Sequence, residues 1–285
     1  MNLLTIILPV FNGYSYLSTC LESIIGQTFT DFNLIIVNDG STDKTIELIN
    51  EISDRRIKVL NKKHSGIIDS FNLALSKVNA KYIARVDADD YYYPSKFFNQ
   101  IKLLEENNQV ILVGTGGYYM SEKGRISKLK LKVRKTHNEI MNGLFHKERG
   151  IIHSSIVVRT DVLKKIGGYT PNIFPEDYEL YFRIGKIGKL ANLVDPLMAV
   201  RIHESYSHYN LEKLIKNYDI LIQKYKGEYK NIAAISRNLK HENQSIILNR
   251  LGINNLLNGK IVTGLIKLIK SFFINPKRII KYICR

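Results

Sequence analysis

The stretch Tyr82-Ile83-Ala84-Arg85-Val86-Asp87-Ala88-Asp89-Asp90 decides how this chain is read, because a mostly apolar run ends in three carboxylates within four residues. A strand that ends this way presents hard oxygen ligands at a sheet edge. There they can hold a divalent metal and, through it, a diphosphate. Mg²⁺ is commonly held by one or two carboxylates plus substrate phosphates, so this use would make the chain a handler of nucleotides. The plainer use of the same acids is to cap the helix that begins near Pro94, and short motifs often match by chance. Three like charges in one turn repel unless a cation sits among them, which favours the metal.

Upstream of this stretch, strand and helix patterns alternate. Leu4–Val10 is an apolar run followed by the turn Phe11-Asn12-Gly13, and then Tyr14, Leu17, Leu21, Ile24 and Ile25 recur at helical spacing. Leu34–Val37 reads as a buried strand ending in Asn38-Asp39-Gly40-Ser41-Thr42, and Ile46, Ile49 and Ile52 continue as a helix. Ile57–Leu60 is the third strand, and Ile67, Phe71, Ala74, Leu75 and Val78 mark the third helix. Tyr82–Val86 is the fourth strand, and Pro94 suits the first turn of a helix running to about Asn107. Such alternation predicts a parallel sheet with helices on both faces, whose ligands sit at the carboxyl ends of the strands. Phe11, Asp39, His64 and Asp87–Asp90 all fall at such ends.

Beyond residue 110 the alternation loosens. Ile111–Val113, Gly117–Met120 and Ile126–Val133 read as strands separated by glycine turns, and a basic loop follows through His137. Ser154–Val158 is a further strand, and Gly167-Gly168-Tyr169 is a turn. Pro175-Glu176-Asp177-Tyr178 opens a helix through Leu180, Phe182 and Ile184, and Leu197–Ile202 is a strand with Arg201 and His203 at its end. Glu176 and Asp177 are acids that a helix dipole stabilises at an N-terminus, or one of them is a general base reaching into the cleft. Asp39 is an ordinary turn aspartate or a ligand-binding one, and His203 a structural histidine or a metal ligand.

At 285 residues with 45% hydrophobic content, the chain can bury one large α/β domain plus an appendage, or two small domains. No run of about 18 apolar residues is present, so no transmembrane helix is expected. The N-terminal residues lack the basic region of a signal peptide, and Cys20 and Cys284 stand in no redox or metal spacing; both point to the cytoplasm. The net charge of +16 is uneven: residues 211–285 carry fifteen Lys and Arg against four acids, a net of +11, which leaves +5 for the first 210. Within that tail, Ile261, Val262, Leu265, Ile266, Leu268, Ile269, Phe272 and Phe273 form one broad helical face. Lys260, Lys267 and Lys270 lie opposite, and Lys277, Arg278, Lys281 and Arg285 follow. That pattern suits an anionic membrane interface, or equally a helix packed on the domain with a solvated basic face.

In order, Pro9-Val10-Phe11-Asn12, Val37-Asn38-Asp39-Gly40-Ser41-Thr42-Asp43, Asp87-Ala88-Asp89-Asp90, Gly167-Gly168-Tyr169, Glu176-Asp177 and Arg201-Ile202-His203 resemble the signature series of glycosyltransferase family 2, over about residues 3–207. The resemblance implies a GT-A fold: an α/β domain with a Rossmann-like nucleotide-binding half and a mixed central sheet. The catalytic domain would span residues 1–207, with a nucleotide-sugar half at 1–110 and an acceptor half at 111–207. A basic, mostly helical extension would occupy 208–285. It also implies a metal-dependent, inverting transfer from a nucleotide-sugar, UDP being the expected nucleotide, with Mn²⁺ or Mg²⁺ as cofactor. Pro9, Phe11, Asp39, Asp87 and Ala88 would bind the nucleotide-sugar, Asp89 and His203 would serve the metal, and Asp177 would be the base with Glu176 beside it.

The chain departs from the pattern at Asn38, where many relatives carry an acid, and the pair Lys62-Lys63 has no assigned place in it. The expected acceptor is a glycan hydroxyl, on a polyprenyl-diphosphate-linked oligosaccharide at the cytoplasmic face of a membrane, in surface-polysaccharide synthesis. Two rival readings fit less well. A sugar-1-phosphate nucleotidyltransferase wants a glycine-rich, arginine-containing phosphate loop after the first strand, and Pro9-Val10-Phe11-Asn12-Gly13 is not one. A nucleic-acid-binding protein would explain the charge, but the basic tail is aliphatic and lacks interleaved aromatics.

Overall fold

The computed structural model describes residues 2–146, 150–203, 211–229, 256 and 261–274. Its first part is a parallel sheet of β1 (Leu4–Val10), β2 (Phe32–Asn38), β3 (Ile57–Asn61) and β4 (Tyr82–Arg85), ordered β3-β2-β1-β4. The connections carry α1 (Tyr14–Ile25), α2 (Thr45–Asn50) and α3 (Ile67–Leu75). All seven residues of β1 are buried. Leu4, Ile6, Leu8 and Val10 enter one core with Leu17 and Ile24 of α1, while Ile7 enters a second core with Phe71 and Ala74 of α3. The two-residue period of a strand thus feeds two helical layers, as the apolar run predicts.

The sheet continues through β5 (Tyr91–Tyr92), β6 (Val110–Met120), β7 (Ile126–Leu131), β8 (Val157–Arg159) and β9 (Lys189–Arg201), in the order β4-β8-β6-β9-β5 with β7 paired to β6. β8 is antiparallel to β4 and β6, β6 and β9 are parallel, and β5 and β7 are antiparallel to their partners. The sheet is therefore mixed. α4 (Lys96–Glu106), α5 (His137–Phe145), α6 (Thr160–Lys165) and α7 (Glu176–Gly185) complete this part.

Several sequence-based bounds change here. The two strands expected at 111–113 and 117–120 are one, because the intervening glycines are close-approach positions and not turns. A Cβ on Gly114 would lie 2.2 Å from Asn192 Oδ1, and one on Gly116 would lie 2.5 Å from the carbonyl of Val194. The expected strand at 154–158 begins as a 3₁₀ turn, His153–Ser155. β9 starts eight residues before Leu197, since its register shifts against β6 hide any simple alternation. Beyond the basic loop lies α5, opened by a reciprocal capping box between Thr136 and Glu139.

In the C-terminal part, α8 (Leu211–Lys226) docks on α7, with Leu221, Ile222 and Tyr225 in the core and the Tyr225 ring 4.9 Å from Phe182. α9 (Ile261–Ile274) leaves Leu265, Ile266 and Ile269 about half exposed. The side chains of Lys260, Ile261, Val262, Phe272, Phe273, Lys277, Arg278, Lys281 and Arg285 lie outside the described residues. No described helix is long and apolar enough to cross a membrane.

Candidate active site

The carboxyl ends of β1, β2 and β4 and the end of β9 converge on one edge of the sheet, and every acid singled out there has a different environment. At the β1 and β2 end, Asp39 is 3% exposed and surrounded by donors. Its Oδ1 accepts from Lys62 Nζ and, at 3.0 Å, from the Ser65 amide; its Oδ2 accepts from the Gly66 amide at 2.8 Å and lies 3.0 Å from His64 Nδ1. Burial pushes this carboxyl up, but the hydrogen bonds from Lys62, Ser65 and Gly66 outweigh it and hold Asp39 below the usual range.

Lys62, which had no assigned place, is therefore the counter-ion of the turn aspartate. Gly66, at φ 98°, takes a backbone conformation open to glycine. Phe11 stands 46% exposed at the end of β1, its ring 4.1 Å from that of His64, so two aromatic faces flank Asp39. Pro9 is buried inside β1 against Val37. Asn38 uses its side chain to hold the turn, donating to Asn61 Oδ1 and accepting the Ser41 amide.

At the β4 end the three aspartates separate. Asp90 is buried: its Oδ2 accepts from Ser154 Oγ at 2.5 Å and its Oδ1 from the Arg201 amide at 3.0 Å, pinning the turn to β9. Burial, with the charges of Asp89 and Asp87, drives Asp90 well above the carboxylate range. Asp87 pairs with Arg85 Nη2 at 3.2 Å, and burial raises it despite that arginine. Ala88 packs on the core between them. Asp89 points the other way, with Oδ2 2.9 Å from His203 Nε2. The imidazole of His203 stacks 5.7 Å from Tyr16, and Arg201 donates from Nε to the Asp89 carbonyl at 2.8 Å.

Asp89 and His203, 114 residues apart, thus face each other as a carboxylate–imidazole pair. Among the described residues no three side chains of metal-ligating type gather at one point. A two-residue donor set fits a Mn²⁺ or Mg²⁺ ion that takes its other ligands from a diphosphate and water. It would not fit a metal held by protein alone.

Asp177 sits in the first turn of α7, where its Oδ1 accepts the Tyr178 amide at 2.9 Å. Burial, then the neighbouring Glu176 charge, raise it to about 7. Glu176 lines a narrow crevice with Phe71, Arg85 and Tyr169. Arg85 is 5% exposed, and its charge acts on Asp87, Tyr169, Glu176 and Asp177, which makes it the hub joining the acidic turn of β4 to α7. Its Nη1 has no hydrogen-bond partner among the described residues. Sequence reasoning passed over this arginine, although a cation inside an apolar strand was the available signal. His153 bridges two buried tyrosines, 2.9 Å from Tyr169 Oη and 2.6 Å from Tyr181 Oη.

A mixed α/β sheet with an Asp-x-Asp turn at its edge, aromatic and acidic groups beside it and a second acidic pair opposite defines a GT-A-type glycosyltransferase. The profile of Glycosyl transferase family 2 matches residues 5–167, and the chain belongs to that family. It is 30% identical over 271 residues to an uncharacterized glycosyltransferase of Haemophilus influenzae, covering 88% of this chain and 76% of that one. It is also 30% identical over 226 residues to the Escherichia coli UDP-Glc:alpha-D-GlcNAc-diphosphoundecaprenol beta-1,3-glucosyltransferase WfaP, covering 78% and 86%. Among solved structures it resembles S. aureus TarS 1–349 in complex with UDP-GlcNAc, with a TM-score of 0.64 at 17% identity, over 95% of this chain and 80% of that one. Family membership sets aside the nucleotidyltransferase and nucleic-acid readings.

Proposed function

We propose that the protein moves a sugar, with inversion, from a UDP-sugar to a hydroxyl of a lipid-diphosphate-linked glycan during surface-polysaccharide synthesis, working at the cytoplasmic face of a membrane. The observation that carries this reading is the convergence of Phe11, Asp39, Asp87, Asp89 and His203 at one sheet edge, with Asp89 and His203 2.9 Å apart. The relative WfaP, by its name, uses UDP-Glc, a diphosphoundecaprenol-linked acceptor and a β-linkage, which supports the donor, the acceptor class and inversion.

In this reading the nucleobase lies against the exposed Phe11 ring of the Phe11–His64 pair. Both oxygens of Asp39 already have donors, so Asp39 shapes the 62–66 loop around the base and contacts it only by exchanging one of them. Asp87 takes the ribose, and Arg85 keeps it oriented. Residues 1–110 serve the donor and 111–207 the acceptor. A divalent cation held by Asp89 and His203 would offset the charge on the leaving diphosphate.

Asp177, poised near neutrality, accepts the acceptor hydroxyl proton as that oxygen bonds to the sugar C1. The C1–oxygen bond to the nucleoside diphosphate breaks on the opposite face. Glu176 and burial make Asp177 a stronger base than a solvated aspartate, and Arg85 limits that rise. The apolar, half-exposed face of α9 is compatible with contact to an anionic membrane through residues 260–285.

The testing experiment is a titration of UDP, GDP, TDP and CDP, with and without Mn²⁺, on the wild-type chain and Asp89→Ala. Mn²⁺-dependent binding of UDP that the variant loses is the expected result. Absence of binding by all four nucleotides would overturn the reading.

A further inference from the structure

One face of the β7-β6-β9-β5 sheet carries side chains to which the proposed transfer assigns no individual role. Between Glu122 and Glu139 the chain has seven basic residues and no acid. Lys128, Lys130 and Lys132 fall at every second position along edge strand β7 and its continuation, so they share one face, and all three are exposed. None of the three makes an ion pair among the described residues. The alternate residues Leu131 and Val133 turn to the core.

One register row crosses all four strands: Lys130 opposes Tyr118, Tyr118 opposes Ala199, and Ala199 opposes Tyr91. Tyr93, two residues along from Tyr91, meets the Tyr118 ring at 6.3 Å and the Tyr91 ring at 5.3 Å. A half-buried tyrosine cluster therefore stands beside the lysine row on the same side of the sheet. Ile126, at the same alternation as the lysines, is 40% exposed.

Lysine rows on edge strands also block strand-to-strand aggregation. That need is met by one or two lysines and calls for no aromatic cluster. Lysines for anionic headgroups, with tyrosines and an exposed aliphatic side chain at their level, are the composition of a surface that rests in a membrane interface.

We infer that this sheet face docks on a membrane rich in anionic lipid. Its turn is tied to the site: Arg201 Nη1 donates to the carbonyls of Ser121 and Glu122, its Nε donates to the Asp89 carbonyl, and Tyr16 Oη donates to Glu122. Docking would hold the mouth of the cleft at a set height over the bilayer, independently of the tail at 260–285.

The test is co-sedimentation of the full chain with phosphatidylcholine vesicles, with and without phosphatidylglycerol, at two salt concentrations. K128Q/K130Q/K132Q is compared with K58Q/K77Q/K102Q, which removes the same charge from other exposed positions. A basic side chain near an anionic surface contributes about a fivefold affinity, so the first triple variant should lose about a hundred-fold and the control far less. UDP titration of both variants reports folding and donor binding separately, so failure here is distinguishable from failure of the transferase reading. Equal losses in the two variants, no loss in the first, or wild-type binding that ignores anionic lipid would each overturn the inference.

Discussion

The two ends of the cleft treat their carboxylates in opposite ways. Around Asp39 every acceptor position has a donor, and the group is held below its usual range. Across the site Asp90 is buried, Asp87 and Asp177 are half-buried, and all three are raised, with Arg85 opposing the rise at Asp87 and Asp177. The first arrangement is complete before any ligand arrives, as a binding surface should be. The second stores uncompensated negative charge, which a cation or a proton relieves, and that is the state a general base and a metal-assisted site need.

Exchanging charges at each end breaks this contrast in different observables. The largest expected effect is that of Asp177→Asn, which should lower kcat by about a thousand-fold while UDP affinity stays within about twofold. A parallel fall in both would move the base elsewhere. Asp89→Ala should next cost about a hundred-fold in Mn²⁺-dependent UDP affinity and leave metal-free binding unchanged; isothermal titration with and without Mn²⁺ separates the two. At the completed end, Asp39→Asn should weaken UDP binding by about tenfold, through loosening of the 62–66 loop, with kcat little altered.

The sign of the pH dependence sharpens the comparison further. With Asp177 raised to about 7, kcat/KM should climb as pH rises through 7 and level off above it. Asp177→Asn would remove that limb from the residual activity. Stability should respond in the opposite direction. Asp177 binds its proton more tightly in the folded chain than in the unfolded one, so it costs stability as pH rises from about 4 towards 7. Asp177→Asn should therefore stabilise the protein at pH 8 by about 1 to 2 kcal/mol, less than the full shift because solvent partly screens the group, and do nothing at pH 4. Thermal melts of both forms at the two pH values check this.

The first hundred residues were legible because their regularities are local. A buried parallel strand shows as an apolar run, and its carboxyl end as a turn, so Phe11, Asp39, His64 and Asp87–Asp90 could be placed on one edge from spacing alone. The segment from Val110 to Arg201 was less so. Gly114 and Gly116 look like turns in sequence, and only the approach of Asn192 and Val194 explains them. β9 is built from register shifts that no periodicity records.

Sequence by itself determined the family, the mixed α/β class, the identity of the acids at the strand ends and the basic excess of the tail, since each is written in contiguous residues. Tertiary structure alone decided what each acid contacts. Lys62 became the partner of Asp39, Arg85 the hub between Asp87 and α7, His203 the companion of Asp89, and Asp90 an internal tie. The physical reason is that a carboxylate's charge state depends on burial and on groups within a few ångströms. For residues 89 and 203, that distance is created only when β9 folds back beside the end of β4.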